Sequence, residues 1–150
     1  MSSLRRGRHD EVERVVDFQR AAYARTEAAV GARAIPLEWD YHAIMEECEV
    51  WFDEAGGVLQ GVLILRAMQD ELFLESIATA PHAAGSGRGR ALLDATFERA
   101  RELGLKRVGL ITNGLNPALE WYKRMGFLID REEVKSGRRV VHMSVAVPQI

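Results

Sequence analysis

Pro81-His82-Ala83-Ala84-Gly85-Ser86-Gly87-Arg88-Gly89-Arg90-Ala91-Leu92-Leu93 joins two different hydrophobic patterns. Before it, Leu72-Phe73-Leu74-Glu75-Ser76-Ile77-Ala78 reads as a strand. After it, a helical pattern continues to Glu102. Glycines at 85, 87 and 89 let backbone N–H groups turn inward without a Cβ in the way. The helix that follows aims its positive end at the same spot, so the junction is suited to an anion such as phosphate.

By itself the junction fits several ligands or none. No Gly-Lys-Ser/Thr ending is present, which argues against an ATP or GTP phosphate loop. No G-x-G-x-x-G follows the first strand, which argues against a dinucleotide site. An unliganded flexible turn is the plain alternative.

The segment Asn116-Pro117-Ala118-Leu119-Glu120-Trp121-Tyr122-Lys123-Arg124-Met125-Gly126-Phe127 separates these readings. Together the two segments resemble the GCN5-related N-acetyltransferase (GNAT) family. Its acetyl-CoA loop reads Gln/Arg-x-x-Gly-x-Gly/Ala after a strand ending in a Val-x-Pro-like stretch. Gly87 and Gly89 match the glycines, with Pro81 and Leu92-Leu93 at the expected offsets. Tyr122, Gly126 and Phe127 match the family's Tyr-x-x-x-Gly-Phe. The resemblance runs over roughly residues 58 to 147. Two departures stand out. Ala84 occupies the usual Gln/Arg position, and Asn116 lies six residues before Tyr122 where the family's Asn usually lies seven before.

The resemblance implies an α/β fold with a mixed, mostly antiparallel central sheet flanked by helices, and residues 1–150 as a single domain. It implies an acetyl-CoA-dependent N-acetyltransferase in which a primary amine attacks the thioester directly in a ternary complex. A non-catalytic acyl-CoA-binding or regulatory module on the same fold is the alternative. Glu75 takes the position of the residue that deprotonates the amine, directly or through water. Tyr122 takes that of the hydroxyl near the thioester sulfur. The backbone of Ile77, Ala78 and Thr79 is expected to bind the pantetheine arm and polarise the carbonyl. Gly85, Ser86, Gly87, Arg88, Gly89 and Arg90 are expected at the pyrophosphate, with Asn116 and Lys123 as further cofactor contacts. Related proteins are often dimers, so a homodimer is one expected arrangement.

The residue chemistry bears on these roles independently. Strict alternation places Phe73, Glu75, Ile77 and Thr79 on one strand face. A carboxylate between Phe73 and Ile77 is costly to ionise if that face is buried, which predicts a raised pKa and a base working near neutrality. A solvated Glu75 is the opposing reading. A phenol is protonated at neutral pH and can assist a departing thiolate, although Tyr122 beside Trp121 also suits a core position. Asn116 followed by Pro117 is a strong helix start, which gives Asn116 a structural role as well.

The rest of the chain sets bounds. Its 150 residues, 47% hydrophobic and 28% charged, suit a globular domain with a substantial core. A net charge of −2 gives no support for a nucleic-acid partner. No apolar run approaches the roughly 20 residues of a membrane span, and the basic start Met1 to Arg8 lacks the apolar segment of a secretory signal. Cys48 is alone, so a reducing cytoplasm is the expected compartment. His9, His42, His82 and His142 are scattered without metal-ligand spacing, and no metal is expected.

Asp10 and Glu13 read as a capping box opening a helix through Val15, Phe18, Ala22 and Tyr23. A second helix is predicted from near Pro36 through Met45. Trp39, Tyr41 and Trp51 are candidate core or acceptor-pocket walls. Glu46, Glu47, Glu49, Asp53 and Glu54 form an acidic cluster that could attract a cationic amine or simply meet solvent.

Overall fold

The computed structural model describes residues 3–31, 34–83 and 85–149, with backbone only at Ile35. Seven strands and four α-helices follow in the order β1 (Arg5–Arg6), α1 (Val12–Val30), α2 (Tyr41–Glu47), β2 (Glu49–Ala55), β3 (Val58–Ala67), β4 (Leu72–Thr79), α3 (Arg88–Glu102), β5 (Arg107–Asn113), α4 (Ala118–Arg124), β6 (Leu128–Lys135) and β7 (Arg138–Ala146). Spatially the sheet runs β1-β2-β3-β4-β5-β7-β6. Every neighbouring pair is antiparallel except β4 and β5. Those two are joined through α3, and a crossover helix is how parallel neighbours are connected. This is the expected mixed, mostly antiparallel α/β sheet.

The chain's hydrophobic pattern explains the layering. In β3, Val62, Leu63, Ile64 and Leu65 are all fully buried, because both faces of that strand are covered. On one face α1 and α2 bring Val12, Val15, Ile44 and Met45 against Phe52, Val62 and Ile64. On the other, α3 and α4 bring Leu92, Leu93, Phe97 and Leu119 against Leu63, Leu65, Leu72 and Leu110.

Two helix starts differ from expectation. A 3-10 turn, His9–Glu11, precedes α1. Glu11, rather than Glu13, therefore reaches back, accepting from the Arg8 backbone N–H at 3.0 Å. Glu11 also grips the Arg5 guanidinium with both oxygens at 2.9 Å. The Arg5 guanidinium holds the Glu11 carboxyl down at about 2, against an ordinary 4.5. Its stabilising contribution is complete above the ordinary value and fades as the pH falls through about 2. The second predicted helix is also broken: Ile35–Glu38 is a 3-10 turn, and α2 begins afresh at Tyr41. Asp40 caps it, its Oδ1 accepting from the His42 N–H at 3.0 Å.

The acidic cluster is mostly neutralised by arginines. Glu49 binds Arg99 at 2.9 Å, Asp53 binds Arg88 at 2.8 Å, and Glu54 binds Arg5 at 2.7 Å and Arg14 at 2.8 Å. These pairs fasten helices and β1 to β2, so the cluster serves assembly more than attraction of an amine.

Candidate active site

The sheet opens at one place. Toward β3, β4 is paired from Leu72 to Thr79 with a single slip. Toward β5 it is paired only through Leu72↔Val108 and Phe73↔Gly109. Beyond those pairs the strands diverge around a cleft of about 390 Å³, walled by residues 74–79 of β4 and 110–113 of β5. Ala22, Tyr23 and Thr26 of α1, with Trp39, Tyr122 and Arg138, complete much of its lining. Unpaired strand edges leave backbone donors and acceptors to be satisfied by something else, and an extended ligand arm can do this.

The slip has a chemical consequence. Ile64 faces Ser76 and Leu65 faces Leu74, which leaves Glu75 as the extra residue of a β-bulge. Strict alternation therefore fails. Leu74 and Ile77 both pack on the α3 side, while Ser76 bonds to α1 on the opposite side. Glu75 does not sit in the apolar setting predicted from Phe73 and Ile77. Its Oε2 accepts from Arg66 Nε at 2.9 Å, and Arg66 also reaches Glu47 at 3.3 Å. Glu75 still lines the cleft.

Tyr122 lies on the same cleft, 9% exposed. Its ring meets Trp121 and Phe127 edge-on, with centroids 5.2 and 5.4 Å away. Burial pushes the phenol above its ordinary value, so it is a proton carrier at neutral pH. Tyr122 is thus packed as a core aromatic and also stands in the cleft wall.

At the glycine loop, Gly85 and Gly87 have φ of 77° and 84°, where a Cβ is strained. No heavy atom lies within 4 Å of where a Cβ would project from either, so the loop faces open space. Gly87 caps α3 and turns the loop into the helix. A Cβ at Gly89 would lie 4.0 Å from the Trp121 ring, and Arg90 Nη1 approaches Met125 Sδ at 3.6 Å. The two sequence motifs therefore adjoin. Ser86 Oγ donates to the Ala83 carbonyl at 2.5 Å. Ala84 lies outside the described residues.

Other predicted contacts have partners within the chain. Arg88 is turned to Asp53 on β2, and Arg90 reaches Asp94 at 3.3 Å. Lys123 reaches Glu120 at 3.4 Å at an exposed position. Asn116 lines the cleft, but its Oδ1 accepts from the Ala118 N–H at 2.9 Å, the helix-start role. Trp39 is a cleft wall, Tyr41 is core, and Trp51 packs at the edge of the α3-side core.

A polar group under the cleft was not anticipated from sequence. Gln19 of α1 is fully buried and donates to Tyr41 at 3.1 Å and Ser76 at 3.2 Å. Ser76 in turn bonds the Tyr23 hydroxyl at 2.6 Å. The available signal was a glutamine inside the apolar stripe of α1. Its meaning depended on Ser76, 57 positions away in the chain.

A model of the acetyltransferase (GNAT) family matches residues 12–127. The chain belongs to that family. The match spans the open β4–β5 edge, the glycine loop and the Tyr122 helix. Among solved GNAT-type structures, nourseothricin acetyltransferase is 29% identical, with a TM-score of 0.60 over 68% of this chain. The match covers 66% of that protein, just under two thirds of its length. The ribosomal-protein-S18-alanine N-acetyltransferase of Escherichia coli is 16% identical, with a TM-score of 0.76 over 98% of this chain and 94% of that one. The PaiA N-acetyltransferase of Thermoplasma acidophilum, solved with coenzyme A, is 15% identical, with a TM-score of 0.79 over 95% and 97%. At those last two identities the likeness is one of fold. No match was found among curated proteins. Among the described residues, no helix is long and apolar enough to cross a membrane, and no group of three or more His, Cys, Asp or Glu could hold a metal ion.

Proposed function

We propose that this GNAT protein transfers the acetyl group of acetyl-CoA to a primary amine by direct attack in a ternary complex. The observation that carries this reading is the cleft where β4 leaves β5, lined by both Glu75 and Tyr122. The open loop Gly85–Arg90 receives the pyrophosphate, with backbone N–H groups at the start of α3 as donors. The free edge of Ile77, Ala78 and Thr79 binds the pantetheine arm as an added strand. One of its N–H groups polarises the thioester carbonyl.

The amine nitrogen then attacks the carbonyl carbon. The N–C bond forms, the C–S bond breaks, and the nitrogen loses a proton to the Glu75 carboxylate, directly or through water. Tyr122 donates its hydroxyl proton, or a hydrogen bond, to the departing sulfur. Arg66 holds the Glu75 carboxylate at the bulge, and Glu75 is part of the cleft wall.

The test is thiol release from acetyl-CoA with nourseothricin, lysine, putrescine and an alanine-ended peptide as acceptors. Turnover with at least one amine is expected. Glu75→Gln keeps the side-chain shape and removes the proton acceptor. It should lower kcat about 10²-fold with coenzyme A affinity nearly unchanged. Coenzyme A binding without turnover on any amine would favour the non-catalytic module. Turnover by Glu75→Gln at the wild-type rate would remove Glu75 as the base.

A further inference from the structure

Helix α1 contributes Ala22, Tyr23 and Thr26 to the lining of the cleft. Four residues before Tyr23 on the same helix is Gln19, a fully buried amide where the helix's apolar stripe calls for Leu or Met. Its Oε1 has no hydrogen-bond partner, the one such buried side-chain atom among the described residues. A core selected for packing alone avoids such a group. The other half of the amide is fully engaged, and its partners give the residue a purpose.

The direction of the chain can be followed from its far end. The Tyr41 hydroxyl donates its proton to the Pro36 carbonyl at 2.7 Å. Toward Gln19 the Tyr41 oxygen can only accept, so Nε2 faces it, and the amide orientation is fixed. The second Nε2 proton goes to Ser76 Oγ. Ser76, so anchored, bonds the Tyr23 hydroxyl at 2.6 Å. Ser76 follows Glu75 directly at the bulge and precedes Ile77. Tyr23 is thereby fixed beside both the candidate base and the candidate backbone donor. Burial raises the Tyr23 phenol above its ordinary value, so it stays neutral.

We propose that Tyr23 orients the acceptor amine in the cleft, and that Gln19 and Ser76 are positioning residues that set its hydroxyl. This rests on the acetyltransferase reading. In this arrangement the Tyr23 hydroxyl takes the donor's part in its bond to Ser76, a part either oxygen could fill, and its oxygen accepts one N–H of the neutral amine. The nitrogen lone pair is then turned toward the thioester, a gain in orientation rather than in proton transfer. The amine's other N–H supplies the proton that leaves. A neutral primary amine has an N–H for each role, whereas a neutral secondary amine has only one. The arrangement therefore selects primary amines through Tyr23.

The experiment uses the best acceptor among lysine, putrescine, nourseothricin and an alanine-ended peptide, and its N-methyl analogue. Tyr23→Phe should raise the acceptor KM about tenfold or more, leave coenzyme A affinity and Tm unchanged, and shrink the preference for the primary over the N-methyl amine. Gln19→Met removes the orphan oxygen and should keep or raise Tm while moving the acceptor KM in the same direction. The double variant should be no worse than Tyr23→Phe alone, because both act through one hydroxyl. Wild-type acceptor KM and amine preference in Tyr23→Phe would overturn the inference while leaving the transferase reading intact. A Gln19→Met effect that adds fully to Tyr23→Phe would overturn the positioning role. A wild type that releases no thiol with any of the amines would overturn both readings together.

Discussion

The two edges of β4 are built from the same eight residues and meet opposite fates. Toward β3 the strand is paired from end to end and its partner is a continuous buried run, Val62 to Leu65. Toward β5 the pairing ends after Phe73, and the remaining edge looks into the cleft. Unpaired backbone is costly in a folded protein unless a ligand or water takes its place, so an edge left open beside Glu75 and Tyr122 marks where the chain expects company. The bulge belongs to both edges. It is a defect in the β3 pairing that sets Glu75 and Ser76 in position at the cleft.

This contrast is sharpest at Tyr122. Tyr122→Phe retains the ring contacts with Trp121 and Phe127 and removes only the hydroxyl. It should lower kcat by about 10²–10⁴-fold with little change in coenzyme A affinity or stability. Single-turnover measurement at unchanged chemistry rate would return Tyr122 to the scaffold.

The closed edge should respond in the opposite sense. Leu63→Ala empties a fully buried position in β3 opposite Ile77. A loss of about 2–5 kcal/mol in unfolding free energy is expected, read as a lower urea midpoint. The protein that remains folded should bind coenzyme A as the wild type does. A tenfold loss of affinity in folded protein would show that the two edges are not separable.

The smallest effect should come at the loop. Gly89 sits in helical backbone with no Cβ clash inside the chain, whereas Gly87 would be strained by any side chain. Gly89→Ala should therefore leave Tm unchanged or slightly raised and weaken coenzyme A binding about tenfold, because its methyl meets only Trp121 and the ligand. Calorimetric titration giving wild-type affinity would move the phosphate away from Gly89.

Much of this was legible in the chain. The strand ahead of the glycine loop and the helical pattern running to Glu102 follow from hydrophobic period and turn chemistry, which are local properties. The loop and the Tyr122 segment pointed to the family because their spacing is written in consecutive residues. The capping box failed by two positions because a 3-10 turn, fixed by Arg5 and Glu11 across β1, inserted ahead of α1.

What the sequence by itself determined was the set of elements, the anion-ready loop and the candidates Glu75 and Tyr122. Each rests on residues close together in the chain, where propensity, period and motif spacing act. Tertiary structure decided the partners: Arg66 on Glu75, Asp53 on Arg88, and the path from Gln19 through Ser76 to Tyr23. It also decided that one slipped register would turn Glu75 out of its expected alternation. A bulge depends on how two strands match across the sheet, and an ion pair or a buried amide is understood only once both of its ends are placed. Neither can be read from one strand or one helix alone.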